Sequence, residues 1–513
     1  MARSIKTTVA VAIAALAAFG CATPGLHNAN GNTLKTVALI QGEPNFSVDG
    51  AYQELEEGLY TQPELRAGKK VFAPLGDIIP FLGGEYSLNG NVATYSLGGH
   101  NVQVTVGSTD ASADGQPFKL DLAPELKAGS VWVPVANVWE KLGAFVKWDD
   151  TRQRLSGAFI LPPSQKLEDF TRGGPVTEGT ITTQKPEFYG SADGIKLGDV
   201  ILGYQNADGG WPKVDRDVNL LVPVNTAAMT GFRIKSTIDN DSTMKQMAVL
   251  AKVYNATKQQ KYADGYLRGL DYVLRAQQAN GGWQQFWPEP QGYKARITFN
   301  DDAIANVLEM LRDVASRSPE FQFVDVPRAG LARGAYERGI ALILKTQLVV
   351  NGKKTGWCAQ YDEKTLQPVT GRAFELASIS GNESVNITRF LMSIDKPSPE
   401  IIAAVQSAID WFDDARLTGI KLERKDDHTL EFGFDRRVVA DPKAPPLWAR
   451  FYDLQTGKPL FTARDGVKRD NYADVSYERR VKYNWYADTP RDLLAKDYPA
   501  WVAKWAPGKS VLK

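Results

Sequence analysis

Cysteine and histidine are scarce in this chain of 513 residues. The sequence holds two cysteines, Cys21 and Cys358, and three widely separated histidines, His27, His100 and His428. If Cys21 is modified or removed, no intrachain disulfide can form, and a cysteine-based metal site is disfavoured. A zinc site or a histidine-centred triad is disfavoured because the histidines lie far apart. If the chain is an enzyme, its carboxylates, arginines or lysines must carry the chemistry.

An excess of charge of either sign is also lacking. Lysine and arginine number 60 against 59 aspartates and glutamates, which leaves a formal net charge of +1. Nothing in this balance implies a nucleic-acid partner, so binding to an acidic polymer would require a local basic patch. The length predicts two or three domains. No feature indicates more than a monomer.

The N-terminus has the pattern of an export signal. Arg3 and Lys6 precede an apolar run over residues 7–18 that is too short to span a bilayer. Residues 18–21 form an imperfect lipobox in which Ala18 replaces the usual leucine. We expect residues 1–21 to direct export, followed by lipidation of Cys21 or by ordinary signal-peptidase cleavage nearby. The protein is then secreted or attached to the cell envelope of a bacterium.

Residues 66–157 have the texture of a small α+β domain built from two related halves. The stretch KVFAPL at 70–75 is echoed by VWVPV at 131–135, and a short helical stretch containing Leu-Gly follows each copy. This part resembles the copper amine oxidase N-terminal-like module of exported bacterial proteins. No histidine or cysteine cluster supports copper here, so we expect wall binding or a spacer role. Residues 158–185, rich in proline, glycine and threonine, are predicted to be a linker.

Residues 186–513 show helical periodicity and an internal repeat. The heptapeptide QNADGGW at 205–211 matches QQANGGW at 277–283, and a looser copy runs from Gln347 to Trp357. The Asn/Asp-Gly pairs predict helix ends, because glycine adopts the left-handed conformation cheaply. Recurring helix-stop-tryptophan units indicate helical hairpins in a ring, with loops gathered at one end. The tryptophans fit either packing in the core or a platform on which sugars stack.

Two segments cluster acidic and amide oxygens just before predicted helices. They are TIDNDST at 237–243 and ITFNDDA at 297–303. One side chain in each could cap the helix that follows. Alternatively, the two clusters could converge on a hard cation such as Ca²⁺, which prefers oxygen ligands.

A third segment is rich in arginine. Arg450 and Arg464 fall in two predicted strands joined by a turn at residues 456–457, and Arg479 follows. These arginines could pair with nearby acids such as Asp465 and Glu478 on a basic surface. They could equally bind a polymer that carries carboxylates, because the guanidinium fork matches a carboxylate with two hydrogen bonds.

From about Gly209 to its end, the chain resembles the pectate lyases of polysaccharide lyase family 10. The motifs that carry this resemblance occur in the family's order: GGWPK, TIDN, RGLDYVL, NGGW, ITFNDDA, WCAQ, ESV, LWARFYDL and RDGVKR. The resemblance implies a mainly α fold, in which an (α/α) toroid-like lyase domain with short β-strands follows the small α+β domain. It also implies dependence on Ca²⁺ and cleavage of polygalacturonate, the backbone of pectin.

The resemblance further assigns roles to residues. Asp239 and Asp301 would bind the metal, and Arg464 would be the catalytic base that removes the C5 proton of galacturonate. The substrate-binding residues would be Asn240, Arg372, Arg450 and Arg479. Because the reference pKa of arginine is above about 12, clustered cations, desolvation or high pH must favour its neutral form. An alkaline activity optimum is therefore expected.

Some positions depart from the family pattern near the expected cleft. Asp241 and Ser242 replace Gly-Ala after TIDN, Tyr361 stands where many relatives carry histidine, and Asn386 replaces glycine after ESV. Two other functions remain open. One is a lyase for a different uronate polymer, and the other is a catalytically silent pectin-binding protein.

Overall fold

The computed structural model describes residues 32–41, 43, 45–49, 51–55, 61–127, 130–162, 176–213, 220–221, 235–288, 290, 292–427, 430 and 432–512. The predicted signal peptide at residues 1–21 lies outside these ranges. Within them, no helix combines the length and the apolar character needed to cross a bilayer.

The N-terminal part is built from antiparallel β-strands with two short helices. The helices are α1 (Ile78–Phe81) and α2 (Val135–Lys141). The strands are β1 (Thr33–Ile40), β2 (Asn45–Val48), β3 (Ala51–Glu54), β4 (Glu64–Arg66), β5 (Lys70–Pro74), β6 (Glu85–Asn89), β7 (Val92–Leu97), β8 (His100–Thr105), β9 (Asp110–Ala113), β10 (Gln116–Lys119), β11 (Glu125–Lys127), β12 (Ser130–Pro134), β13 (Phe145–Asp149) and β14 (Arg154–Leu161). They form three sheets, in the orders β13-β14-β1-β2-β3, β10-β9-β8-β7-β6 and β11-β12-β5-β4.

The two echoed sequences are equivalent in structure. They form β5 and β12, which pair antiparallel with Trp132 opposite Pro74, and α1 and α2 follow them directly. Gly83 and Gly143, just after these helices, have φ of 85° and 89°, which a side chain would disfavour. The prediction of a small α+β domain with two related halves is therefore confirmed.

The boundaries of this part differ from those predicted. Strand β1 lies before residue 66, yet it pairs with β14 over its whole length. Residues 158–161, placed in the linker by sequence, complete β14. Val176 and Ile181, at the other end of the predicted linker, are buried in the core of the helical part. Residues 163–175 lie outside the described part of the chain.

The C-terminal part is dominated by helices, with strands of mostly two residues between them. The helices are α3 (Ala192–Gly203), α4 (Met244–Thr257), α5 (Gln260–Ala276), α6 (Ala303–Ala315), α7 (Val326–Thr346), α8 (Glu383–Met392), α9 (Pro399–Asp414), α10 (Tyr477–Lys482), α11 (Pro490–Asp492) and α12 (Tyr498–Trp505). The strands are β15 (Ile297–Thr298), β16 (Val349–Val350), β17 (Lys353–Lys354), β18 (Gln360–Tyr361), β19 (Ile379–Ser380), β20 (Ile420–Asp426), β21 (Phe434–Ala440), β22 (Trp448–Ala449), β23 (Phe451–Tyr452) and β24 (Tyr486–Ala487).

These helices form two concentric layers. The inner layer is α4, α6 and α8, and the outer layer is α3, α5, α7 and α9, with neighbours in contact within each layer. The hairpins α4–α5, α6–α7 and α8–α9 join the layers. The prediction of a mainly α, toroid-like domain with short strands is confirmed.

The repeated glutamines explain why the hairpins share a sequence. Gln205 donates from Nε2 to the carbonyl oxygens of Gly209 and Gly265, at 2.8 Å each, so it joins its own turn to the next outer helix. Gln277 makes the same pair of bonds, and Gln347 makes an equivalent pair to Thr355 and Ala404. The repeat therefore sets the spacing between successive outer helices.

The repeated tryptophans hold the helix ends. The indole N–H groups of Trp211, Trp283 and Trp357 donate to the carbonyl oxygens of Ile201, Val273 and Ile343, at 2.7 to 2.9 Å. All three side chains have zero relative exposure. The interpretation of these tryptophans as core residues is correct, and their interpretation as a sugar-stacking platform is wrong.

One member of this repeat is incomplete, which yields a prediction of stability. Arg268 and Arg338 donate to Oε1 of Gln205 and Gln277, but the equivalent position in the third unit is Ser407, and Oε1 of the buried Gln347 has no partner among the described residues. We expect Ser407→Arg to raise the free energy of unfolding by about 1 kcal/mol by supplying that donor. Chemical denaturation measures the change. Ser407→Met, which has no donor, is the control, and an equal gain from it would contradict the explanation.

Candidate active site

Two acidic turns meet where the inner helices begin. Asp239–Asp241 and Asn300–Asp302 form short 3₁₀ turns before α4 and α6, and the two turns contact each other. Each turn follows a residue whose N–H donates to the carbonyl oxygen of a repeat tryptophan, as Thr237 does to Trp211 at 3.0 Å. The buried tryptophans therefore position the acidic turns as well as the helix ends.

The alternative role of these acids as helix caps is wrong. The capping residue of α4 is Thr243, and no side chain caps that helix end. Asp302 stands at the capping position of α6, but its side chain makes no capping hydrogen bond. Asn240 and Asp301 both have φ of 48°, a left-handed conformation that costs free energy for residues other than glycine. The acidic groups are therefore available for another role.

The carboxylates of Asp239 and Asp301 lie in opposite electrostatic environments. Burial raises the pKa of Asp239, but contact with the Lys213 ammonium outweighs it, so the pKa is lowered. Burial raises the pKa of Asp301 to about 6, and the charges of Asp239 and Glu383 act in the same direction. The surroundings of Asp301 therefore disfavour its ionised form.

Asp239 and Asp301 together suit the binding of a cation that a carboxylate of the ligand also contacts. Oδ1 of Asp239 is buried and has no hydrogen-bond partner among the described residues. Bound positive charge would relieve the repulsion between Asp239 and Asp301. Across the described residues there is no group of three or more His, Cys, Asp or Glu side chains able to hold a metal ion. The chain offers two carboxylates, so further oxygen ligands must come from substrate, backbone or water.

Three arginines surround one aromatic ring beside these acids. The guanidinium carbons of Arg372, Arg464 and Arg479 lie 4.8, 5.3 and 4.6 Å from the ring centroid of Phe374. A ring face attracts cations, so Phe374 lets like charges approach each other more closely than they otherwise would. Arg372 and Asp239 are near enough for the arginine to lower the pKa of the aspartate. The structure therefore brings basic and acidic candidates together.

Arg450 links this arginine cluster to the acidic turns. Its guanidinium carbon lies 4.9 Å from the ring centroid of Tyr483, and its Nη2 donates to Glu383 at 3.3 Å. Glu383 is fully buried at the start of α8. Burial lowers the pKa of Arg450, but the charges around it outweigh this, and its pKa is raised. Arg450 thus remains a cation in the cleft and can bind a carboxylate.

Glu375 holds the far side of the cluster. It accepts two hydrogen bonds from the guanidinium of Arg372, including one at 2.9 Å from Nε. It also accepts one at 3.3 Å from the Arg372 backbone N–H and one at 2.8 Å from the hydroxyl of Tyr483. Burial raises the pKa of Glu375, but Arg372 outweighs it and the pKa falls to about 2. Arg372 is therefore fixed by a carboxylate that stays ionised at any ordinary pH.

Arg464 and Arg479 share a single carboxylate unequally. Glu478 accepts from Nε of Arg479 at 2.6 Å and makes a second, shorter bond to the same guanidinium. Its contacts with Arg464 are longer, 3.2 and 3.4 Å. Burial lowers the pKa of Arg479, and the charges of Arg464 and Arg372 lower it further, against the opposing effect of Glu478. Of the two guanidinium groups, Arg479 therefore makes the shorter hydrogen bonds to Glu478.

The loop around Arg464 differs from the prediction. Arg464 lies in a turn closed by the Gly466 N–H donating to the Ala463 carbonyl at 3.0 Å, and Arg450 lies between β22 and β23. Neither arginine is inside a strand. Burial raises the pKa of Glu43, in the turn between β1 and β2, while Arg464 and Arg479 oppose the rise. The N-terminal module therefore contributes a carboxyl group to the electrostatics of the arginine cluster.

Asn240 is exposed at the tip of the first acidic turn, where a ligand can reach it. Two residues that depart from the family pattern, Asp241 and Asn386, each form a side-chain hydrogen bond near this turn. Asn306 donates to Asp241, and Asn386 donates to Asp302 at 2.8 Å. The third departure, Tyr361, has zero exposure and donates its hydroxyl hydrogen to the carbonyl of Thr346. Tyr361 is thus a buried residue close to the second acidic turn, since β18 pairs with β15 just before that turn.

Several groups of the site had no role in the sequence analysis. Their shared feature is that each contacts a predicted residue: Lys213, Phe374, Glu375, Glu383 and Tyr483. The motifs GGWPK and ESV contain Lys213 and Glu383, so a search for buried partners inside the motifs would have found both. Phe374 and Tyr483 carry no such signal, since aromatic residues occur throughout the chain.

Comparison with known proteins agrees with this arrangement. Residues 205–494 match the family model described as pectic acid lyase, and residues 53–156 match that of the copper amine oxidase N-terminal domain. A family 10 polysaccharide lyase from Cellvibrio cellulosa has a similar structure, with 31% identity, a TM-score of 0.53, and coverage of 62% of this chain and 95% of that one. A mutant of a family 10 polysaccharide lyase from the same organism, in complex with trigalacturonic acid, gives 29% identity, a TM-score of 0.52, and coverage of 64% and 99%. No curated protein matches the chain.

Proposed function

Because the chain belongs to the pectic acid lyase family and is thus a polysaccharide lyase, we propose that it cleaves polygalacturonate by calcium-assisted β-elimination. The observation that carries this proposal is the grouping of Arg372, Arg464 and Arg479 around Phe374 beside the acids Asp239 and Asp301. A cleft with both charges suits a polymer that carries one carboxylate per sugar and reacts next to it.

Asp239 and Asp301 would hold Ca²⁺ together with a substrate carboxylate. When bound, the ion neutralises that carboxylate and so stabilises the negative charge that develops when the neighbouring C5–H bond breaks. Lys213 keeps Asp239 ionised before binding, because its ammonium contacts that carboxylate. The cation would thus enter a site in which one carboxylate is already charged and the other is ready to lose a proton.

The arginines divide the remaining work. Arg372, Arg450 and Arg479 hold uronate carboxylates in register, and the exposed Asn240 contacts a neighbouring sugar. Arg464, in its neutral form, takes the C5 proton. The electron pair of the C5–H bond forms the C4–C5 double bond as the C4–O bond breaks, and the leaving oxygen gains a proton. The assignment of Arg464 as the base rests on its place in the RDG motif, which resembles the motif of the family's catalytic arginine.

The test is the release of 4,5-unsaturated product from polygalacturonate at alkaline pH, followed by its ultraviolet absorbance. We expect product with calcium and none with a chelator. Product from a different uronate polymer alone would support the altered-substrate alternative. Retention on pectate without product from any uronate polymer would identify a silent binding protein.

Glu478→Gln gives a prediction for the pH profile. The Glu478 carboxylate favours the protonated form of the guanidinium groups that it contacts, so its neutralisation should favour the basic form. We expect the rising, alkaline limb of kcat to move to lower pH by about one unit. Glu423→Gln, which removes the partner of Arg437 on the exposed β20–β21 hairpin, is the control. An unchanged limb would exclude Glu478 from control of the base.

Export is part of the same proposal. Residues 1–21 have the pattern of a signal sequence, and a polymer as large as pectin must be degraded outside the cell. Metabolic labelling with a fatty acid, compared between the natural chain and Cys21→Ser, distinguishes a lipoprotein from a secreted enzyme. Label that depends on Cys21 would support envelope attachment.

A further inference from the structure

A groove of about 550 Å³ lies between helices of the outer layer, and none of its lining residues belongs to the acidic turns. Helices α5 and α7 form its walls, and the turn that follows α3 closes it. Its lining residues are Ala207, Asp208, Gly209, Arg268, Asp271, Leu274, Arg275, Leu331 and Arg338. None of them has a role in the proposed cleavage.

The groove presents positive charge without compensating carboxylates. Arg268, Arg275 and Arg338 are all exposed. Arg268 and Arg338 donate to glutamine oxygens, and Arg275 donates to the backbone carbonyls of two residues. Within the described residues, none of the three forms an ion pair. Neutral acceptors orient these guanidinium groups but leave their charges available to an anion.

The two acidic residues of the groove are engaged elsewhere. Asp271 accepts two hydrogen bonds from Arg328, each 2.8 Å long. Oδ1 of Asp208 accepts from the Gly210 N–H at 2.9 Å and from the hydroxyl of Ser236 at 2.6 Å. Arg328 thus neutralises Asp271, whereas the neutral donors around Asp208 leave its charge in place. Three arginines against this one carboxylate leave the groove with net positive charge, which favours an anionic ligand.

The spacing of charges and apolar surface suits a chain of acidic sugars. Arg268 and Arg275 are two helical turns apart on α5, about 10 Å along the helix. Arg338 stands on the opposite wall, and the apolar side chains of Leu274 and Leu331 lie between the charges. Leu331 is 61% exposed and adds apolar surface to the groove. A polyuronate offers both carboxylates and the apolar C–H faces of its rings.

We propose that this groove is a second, non-catalytic binding site for a polyuronate, which holds the polymer on the outer wall while the cleft cleaves it. The choice of a polyuronate among anionic polymers rests on the proposed function. The presence of an anion site rests on the three arginines alone. Holding one polymer at two places raises its effective concentration at the cleft.

The test is affinity electrophoresis in gels with and without polygalacturonate. Every protein carries Arg450→Gln, so binding in the cleft is weakened equally in all of them. The groove variant is Arg268→Gln with Arg338→Gln, and its charge-preserving counterpart carries lysine at both positions. The matched control is Arg317→Gln with Arg333→Gln, which removes two exposed arginines whose hydrogen bonds also go to backbone carbonyls. A melting curve checks that each variant is folded.

We expect the dissociation constant for polygalacturonate to rise about fivefold in the glutamine groove variant. The lysine variant and the control should stay within twofold of the parent. Equal weakening in the groove variant and the control would overturn the proposal, because any lost positive charge would then suffice. Retardation by a nucleic acid at the groove but not by polygalacturonate would also overturn it.

A separate measurement distinguishes failure of this proposal from failure of the proposed function. In the chain with Arg450 restored, the groove variant should turn over trigalacturonate at the parental rate while requiring more polymer for half-maximal rate. Retardation that depends on the groove arginines, without any product, would support the second site and contradict the proposed cleavage of polygalacturonate. Formation of product, together with retardation that is unchanged in the groove variant, would support the lyase activity and contradict the second site.

Discussion

Arg464→Ala is expected to lower kcat on polygalacturonate by about 10³-fold while KM changes little. In the proposed mechanism this guanidinium accepts the C5 proton, and a positioned general base contributes roughly 10² to 10⁴ in rate. The side chain is only 8% exposed, so water does not readily replace it. Glu478 keeps its shorter hydrogen bonds to Arg479 after the substitution.

Two companion variants make this result specific to Arg464. Arg479→Ala should mainly raise KM, because we assign Arg479 to binding a uronate carboxylate. Arg437→Ala removes an arginine that is paired with Glu423 on the exposed hairpin, and it should leave both constants unchanged. If Arg479→Ala instead abolished kcat and Arg464→Ala raised only KM, the assigned roles of the two residues would be reversed.

Asp301→Asn should make the protein more stable and inactive, whereas Asp239→Asn should make it less stable and inactive. The pKa of Asp301 is raised to about 6, so its ionised form costs stability. That cost is absent below the unfolded pKa near 3.9, grows as the pH rises to about 6, and is constant above. Amide replacement removes it, which is a gain of up to about 3 kcal/mol at pH 8.

The ionised form of Asp239 has the opposite effect on the stability of the protein. Its pKa is lowered, so its ionised form contributes stability above the unfolded value, and this contribution is lost as the pH falls. Asparagine would leave the Lys213 ammonium without its carboxylate, and we expect a loss of about 1–3 kcal/mol. The carboxylate is 3% exposed, so solvent screens this pair weakly.

Denaturation at pH 8 in the presence of a chelator measures both changes without bound calcium. Adding calcium should then raise the melting temperature of the natural chain and have little effect on either variant. Asn471→Asp, on the surface, shows the effect of an added charge alone. Changes of the same sign in Asp301→Asn and Asp239→Asn would show that the two carboxylates do not lie in opposite environments.

The architecture of the helical part could be predicted because the sequence repeats the residues that determine it. The repeated Gln and Trp make the same bonds in successive units, so the same residues recur wherever the same geometry does. The site residues were predicted from the motifs TIDN and ITFNDDA and not from the repeat, because the acidic turns lie at different separations after the two tryptophans. Helix starts were less accurate, because strained turns precede α4 and α6 instead of capping side chains.

The parts that could not be predicted depend on contacts between distant segments. Phe374 contacts Arg464 and Arg479, which lie far from it in the sequence, and neither its spacing nor its residue type predicts these contacts. Glu383 reaches Arg450 across a separation of 67 residues. Local pattern can show that a residue is polar or apolar, but it cannot show which residue faces it.

The two buried cores have a consequence for how such a chain can arise. The apolar side chains of residues 37–159 form one core, those from residue 176 onward form others, and no described side chain belongs to both sets. Genetic exchange that cuts between them would leave each part with a complete interior and no newly exposed apolar face. Different leading modules could therefore precede the same lyase, although replacing this module would remove Glu43 from the surroundings of the arginine cluster.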